Sequence, residues 1–203
     1  GTKGMDLVSK IDWSAKDAEK GAIAIFNQGI VDYVTAYQQG GTDAMGNVLD
    51  KKQEKSRAEE YRALLAHSPY LVEYIKEFNE YLAAWPNAKL AGAEDVLYWA
   101  KDTFGLKPVV SAYHETFYKT PRGALMATKL IGATHFFNAS LELLAGVPAA
   151  DGKGLYLLNL YRTRIDPPTG MLAGMLMGKV RDGIETGVQE NLKRARERLA
   201  AAR

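Results

Sequence analysis

The sequence predicts an α+β fold: a mostly helical first half, then a curved antiparallel sheet of at least three strands packed on a long C-terminal helix. Three observations carry this expectation. Before about residue 105, apolar residues recur at spacings of three and four; from Lys107 to Asp166, β-branched and aromatic residues dominate; and from Leu172 to Leu199 an apolar residue falls close to every fourth position. With 203 residues, 47% of them hydrophobic and 25% charged, the chain has the composition of one globular domain. Residues 1–105 form its helical part, and 106–203 the sheet and last helix.

The first helix is expected over about Ala15 to Gln39. Ser14 and Asp17 resemble a capping box, Ile23, Phe26, Ile30, Tyr33, Val34 and Tyr37 share a face, and Gly40 and Gly41 end it. TDAMGNVLDKKQEK has no sustained period and reads as a connecting loop. Ser56 with Glu59 repeats the capping pattern and opens a helix to about His67. Ser68 and Pro69 then start another, whose stripe of Leu71, Tyr74, Ile75, Phe78, Tyr81, Leu82 and Trp85 closes at Pro86. A further helix is expected over Ala93 to Phe104, on the spacing of Val96, Leu97, Trp99 and Ala100, with Gly105 as its stop. The aromatic residues of these stripes read as core rather than as a cofactor box.

Pro108 bars a continuing helix, and the run KPVVSAYHETFYK reads as a strand. TPRG is a turn, and pairing Lys119 with Ala124 across it sets His114 against Lys129, Tyr113 against Leu130 and Phe117 against Met126. The next run, Leu125 to Ala145, would reach about 70 Å as one strand, against on the order of 45 Å for a compact chain of this size. It must bend or break, and Gly132 is the expected place. In the third run, matching hydrophobic sides sets Leu155, Leu157, Asn159, Tyr161, Thr163 and Ile165 beside Leu143, Leu141, Ala139, Phe137 and His135 as a buried face. Arg162 and Arg164 then share the other side with Asn138, Ser140 and Glu142. Pro167 and Pro168 break the chain before the last helix. Its many glycines read as small residues that let it lie tightly on the sheet.

Several chemistries are excluded. There is no cysteine, so disulfides, thiolate catalysis and cysteine-ligated metals are out. The net charge of +2 is too near balance to imply a nucleic-acid partner, and the basic KRARER end complements a helix dipole. No run approaches the ~20 apolar residues of a membrane span. Nucleophile-elbow, phosphate-loop and His-Glu-x-x-His motifs are all missing. His114, Glu115 and His135 are metal-ligand types, but the expected hairpin places His135 about 20 Å from His114 and sends Glu115 to the opposite face, so no metal and no cofactor is expected.

The elements SPYLVEYIKEFNEYL, GAEDVLYWAKDTFGLKP, YHETFYK, THFFNASLELL and LYLLNLYRTRID together resemble a family of uncharacterised bacterial proteins that are predicted to be exported. That resemblance implies a periplasmic or cell-envelope location and no activity. The three strands and long C-terminal helix also resemble the closing half of the helix-grip fold of START and polyketide-cyclase-like proteins, which implies binding of lipids or other hydrophobic molecules. The chain departs from that fold at the front, where only helices are expected.

The expected function is non-catalytic binding of a small hydrophobic or amphipathic molecule in a cavity between sheet and C-terminal helix. The candidate binding residues are His114, His135, Asn159, Tyr161 and Arg164, few polar groups in an apolar wall. Two alternatives stand beside it: a hydrolase or lyase-type enzyme using His135 or His114 as acid or base, and a structural or interaction protein without a ligand.

Overall fold

The structure is a computed structural model that describes residues 11–48, 54–103, 108–166, 170–171 and 173–201. Helix α1 (Ala18–Gly40) leads through a 3-10 turn (Gly41–Met45) into a two-residue hairpin, β1 (Asn47–Val48) and β2 (Lys55–Ser56). Three helices follow, α2 (Arg57–Ala66), α3 (Pro69–Tyr74) and α4 (Lys76–Ala84). The chain then makes five strands, β3 (Ala93–Thr103), β4 (Pro108–Thr120), β5 (Gly123–Ala133), β6 (Phe137–Pro148) and β7 (Leu155–Ile165), and ends in α5 (Ala173–Ala201). The strands form one antiparallel meander in sequence order, with β3 and β7 at its edges. The α+β class is as expected, with helices first and sheet after.

Among the helices, α2 begins as read: the Ser56 hydroxyl accepts from the Glu59 amide at 3.3 Å. α1 begins three residues late, because Ser14 bonds Asp12 instead of capping, and Asp17 makes no side-chain cap. The stripe after Pro69 is interrupted at Ile75, which leaves helical geometry (φ −139°, ψ 43°), yet Leu71, Phe78 and Leu82 remain buried on one side. The expected loop 42–55 holds most of the 3-10 turn, all of β1 and the first residue of β2.

The expected helix over Ala93 to Phe104 is a strand through Thr103. All of β3 pairs with β4, from Ala93 opposite Tyr118 to Thr103 opposite Pro108. Its Val96, Leu97 and Trp99 suit a pleated surface as well as a helix, and pairing along a whole neighbouring strand outweighs a weak local preference. Gly105, Leu172 and the proline break at 167–168 lie outside the described residues.

The β4–β5 hairpin has the expected register, His114 opposite Lys129 and Phe117 opposite Met126. The long run after it divides at 134–136, where Phe136 takes a positive φ of 67°. A register shift between Ala112 and Tyr113 puts a bulge just before Gly132, whose missing Cβ would lie 2.8 Å from the Tyr33 ring. Buried Arg57 holds the division, donating to the carbonyls of Ala133 at 2.7 Å and Phe137 at 3.0 Å.

Phe137 pairs with Ile165, but from Ala139 to Pro148 the β6–β7 pairing has the opposite parity to the one expected. Leu141 faces Arg162, Leu143 faces Leu160, and Glu142 faces Tyr161. One rung therefore runs Leu97, His114, Lys129, Leu141, Arg162, and its inner face receives the first-half helices. The core lies there: Tyr37, Tyr61, Leu64, Leu71, Phe78 and Leu82 pack on Ala112, Ala127, Ala139, Leu141 and Leu143. The neighbouring rung, Val96, Glu115, Thr128, Glu142, Tyr161, faces the other way, toward α5.

The glycines of α5 do not make close contacts. A Cβ at Gly174, Gly178, Gly183 or Gly187 would meet nothing within 4 Å, which corrects the tight-packing reading. Alanine at all four should therefore stabilise the helix by about 1 kcal/mol per site. Amide-exchange protection across 173–201 should rise accordingly, and a fall would mean that the glycines do meet a surface.

Candidate functional site: a pocket beneath the C-terminal helix

Alternation along the strands makes two polar sites, one on each face of the sheet. On the outer face, a space of about 300 Å³ opens between the strands and the last third of α5. Its sheet wall draws on all five strands, with Glu115, Thr128 and Glu142 as direct cross-strand neighbours in the middle. Thr128 donates to Glu115 at 3.2 Å, and the Asn159 amide donates to Glu142 at 2.7 Å. That bond fixes which way the Asn159 amide points, since a carboxylate needs a donor. The Asn159 carbonyl oxygen is then buried with no partner among the described residues. Tyr98, Met126 and Leu144 supply apolar surface, while Leu192, Arg194, Ala195 and Arg198 form the helical wall.

The inner-face site is packed solid. His114 is 1% exposed. Its Nε2–H donates to Asp95 at 2.8 Å, and its Nδ1 accepts from the Tyr37 hydroxyl at 2.8 Å, the one tautomer that serves both. Asp95 also receives Thr116 at 2.7 Å and the Tyr81 hydroxyl. Burial works to raise the Asp95 pKa, but the hydrogen bonds from Tyr81, Thr116 and His114 outweigh it and hold the carboxyl below its usual range. Burial lowers that of His114 despite the carboxylate, keeping the ring neutral. The Trp85 ring stacks on Tyr37 with centroids 4.9 Å apart and lies 4.4 Å from His114.

Directly across the strand from His114, Lys129 is also 1% exposed. Its ammonium donates to Thr42 at 2.7 Å and sits 4.1 Å from the centroid of the Tyr61 ring. Burial pushes its pKa down to about 7. The Tyr61 hydroxyl is buried without a partner among the described residues.

The five residues expected to meet at one site are distributed over three places. Asn159 lines the outer pocket, and Tyr161 shares its face, opposite Glu142. His114 belongs to the inner core. Arg164, also on the inner face, pairs with Glu60 at 2.8 Å. His135 is half-buried in the turn between β5 and β6, its ring 5.9 Å from that of Phe136. Glu115, Glu142, Asp95 and Lys129 were not expected as site residues. A charged residue inside the apolar run LMATKLIGA was the available signal for Lys129.

The chain matches no protein-family model, no curated protein and no solved structure. Among the described residues, no helix is long and apolar enough to cross a membrane.

Proposed function

We propose that this protein binds a small amphipathic molecule, without transforming it, in the pocket between the outer face of the sheet and α5. The observation that carries the reading is the space itself: about 300 Å³, with polar groups and apolar side chains on both walls. Few convergent polar groups in a partly apolar cleft are the usual construction of a small-molecule site. At about 30 Å³ per water molecule the space holds on the order of ten waters, which suits a compact ligand and leaves no room for a two-chain lipid.

Native mass spectrometry of protein purified gently from its own host tests this. The expected result is a retained small mass that disappears in Ala195→Trp, where the indole fills the pocket from the helical wall. Circular dichroism should show the helix content unchanged in that variant. A mass that persists in Ala195→Trp, or a chain that is always bare, would count against the reading.

A second reading has one observation in its favour, the chain Asp95, His114, Tyr37, which orders the groups that acid–base chemistry uses. It requires a substrate to reach a ring that is 1% exposed, and so ranks below binding at the open pocket.

A further inference from the structure

The outer pocket has opposite charges on opposite walls, and they do not neutralise one another. Glu115 and Glu142 project from the sheet, Arg194 and Arg198 from α5. The ion pairs formed by the described residues include neither glutamate, and Arg194 pairs within its own helix, with Glu190 at 3.7 Å. Arg198 appears in none of them. Thr128 and Asn159 orient the two carboxylates but are neutral, so they leave the charge uncompensated. Half-buried carboxylates without a counter-ion are costly to hold beside apolar surface. An ammonium carries three donors and no acceptor, which is what two carboxylates require. A guanidinium on the facing wall calls for a carboxylate or another planar anion.

Resting on the binding role proposed above, we propose that the occupant is a small zwitterion with its charges at opposite ends. Its cationic group lies against Glu115 and Glu142, and its anionic group against Arg198 and Arg194. The apolar stretch between them lies on Met126, Leu144 and Leu192. A molecule carrying only one of the charges would leave one wall of the pocket unmatched.

Isothermal titration of the full chain at pH 7 and low salt tests this with four probes of similar length: 6-aminohexanoate, hexylamine, hexanoate and 1-hexanol. The zwitterion is expected to bind at least about tenfold more tightly than any of the other three, and added salt should weaken it. Glu142→Gln should cost 6-aminohexanoate and hexylamine about fivefold to tenfold and spare hexanoate; Arg198→Gln should do the reverse. Glu142→Gln is near-isosteric at a half-exposed position and Arg198→Gln shortens an exposed side chain, and circular dichroism checks that each variant is folded. Hexylamine or hexanoate binding as tightly as 6-aminohexanoate would overturn the zwitterion, as would affinity indifferent to both substitutions. If 1-hexanol alone binds and Ala195→Trp blocks it, the pocket is a ligand site and only the zwitterion falls. If none of the four binds at millimolar concentration and the chain from its host is bare, both proposals fall.

Discussion

Gly41→Ala is expected to destabilise the fold by about 3 kcal/mol, a large effect for the addition of one methyl group. Gly41 has φ 59° and ψ −139°, a region that side-chain-bearing residues avoid. The added Cβ would lie 2.0 Å from the Trp85 carbonyl oxygen and 2.8 Å from the Pro86 ring. Main chain and a proline ring cannot swing aside, so one segment must move. Each segment carries part of the inner site. The Gly41 amide closes α1 by donating to Tyr37, and the next residue, Thr42, receives Lys129. On the other side, Trp85 stacks against Tyr37 and His114. Urea denaturation measures the loss, and Gly29→Ala serves as a control. A Cβ at Gly29, inside α1, would meet nothing within 4 Å, so that change should stabilise by up to about 1 kcal/mol. If the two variants had equal stability, the close approach at Gly41 would have to be abandoned.

The parts of the fold that local chemistry determines were legible. A short turn at TPRG permits few pairings, so the β4–β5 register could be counted outward from it. The β6–β7 connection is a longer polar loop that fixes nothing, and matching apolar sides selected the wrong parity. The pattern of β7 set Arg162 and Arg164 on the side away from the buried face. They turn inward because Tyr70 accepts from Arg162 at 2.8 Å and Glu60 pairs with Arg164. Both partners lie roughly a hundred residues away, and no periodicity within β7 could announce them.

Misreading β3 had the widest consequence. An edge strand is covered unevenly, and Val96, Tyr98 and Trp99 are all exposed, so the clean alternation of a half-buried strand is missing. Assigning that stretch to a helix removed Asp95 from the neighbourhood of His114, although as a strand it stands opposite Thr116, two rungs away and on the same face as His114. The same assignment hid the whole inner cluster. A space does open between the sheet and the last helix, with Asn159 on its wall. Its acidic wall was not foreseen, because Glu115 and Glu142 come together only through β5 between them.

Lys129→Met is expected to make the protein more stable at pH 7, by about 2–3 kcal/mol, and to remove a pH dependence. Burial lowers the folded pKa of Lys129 from 10.5 to about 7. Between those values the unfolded chain holds a proton that the folded chain does not. Stability therefore rises with pH across this window, by roughly 1.4 kcal/mol per unit at most. Tyrosines bound the useful range from above. Burial raises the pKa of Tyr33 to about 12 and moves Tyr37 and Tyr61 up as well, so stability that depends on their staying protonated is lost once the unfolded tyrosines ionise above about 10. His114 acts at the acid end, because its depressed pKa makes stability fall as the pH drops below 6.5. The lysine slope is thus isolated between pH 7 and about 10. Methionine nearly preserves the volume and removes the charge, at the cost of the Thr42 hydrogen bond and the contact with the Tyr61 ring. Lys129→Ala separates charge from packing, since it removes the same charge but leaves a cavity, and it should be less stable than the methionine variant by about 2 kcal/mol. Urea midpoints measured at several pH values across the window would decide it. A methionine variant less stable than the parent at pH 7, with its slope intact, would mean that Lys129 stays charged in the core and that Thr42 and the tyrosine rings stabilise it there.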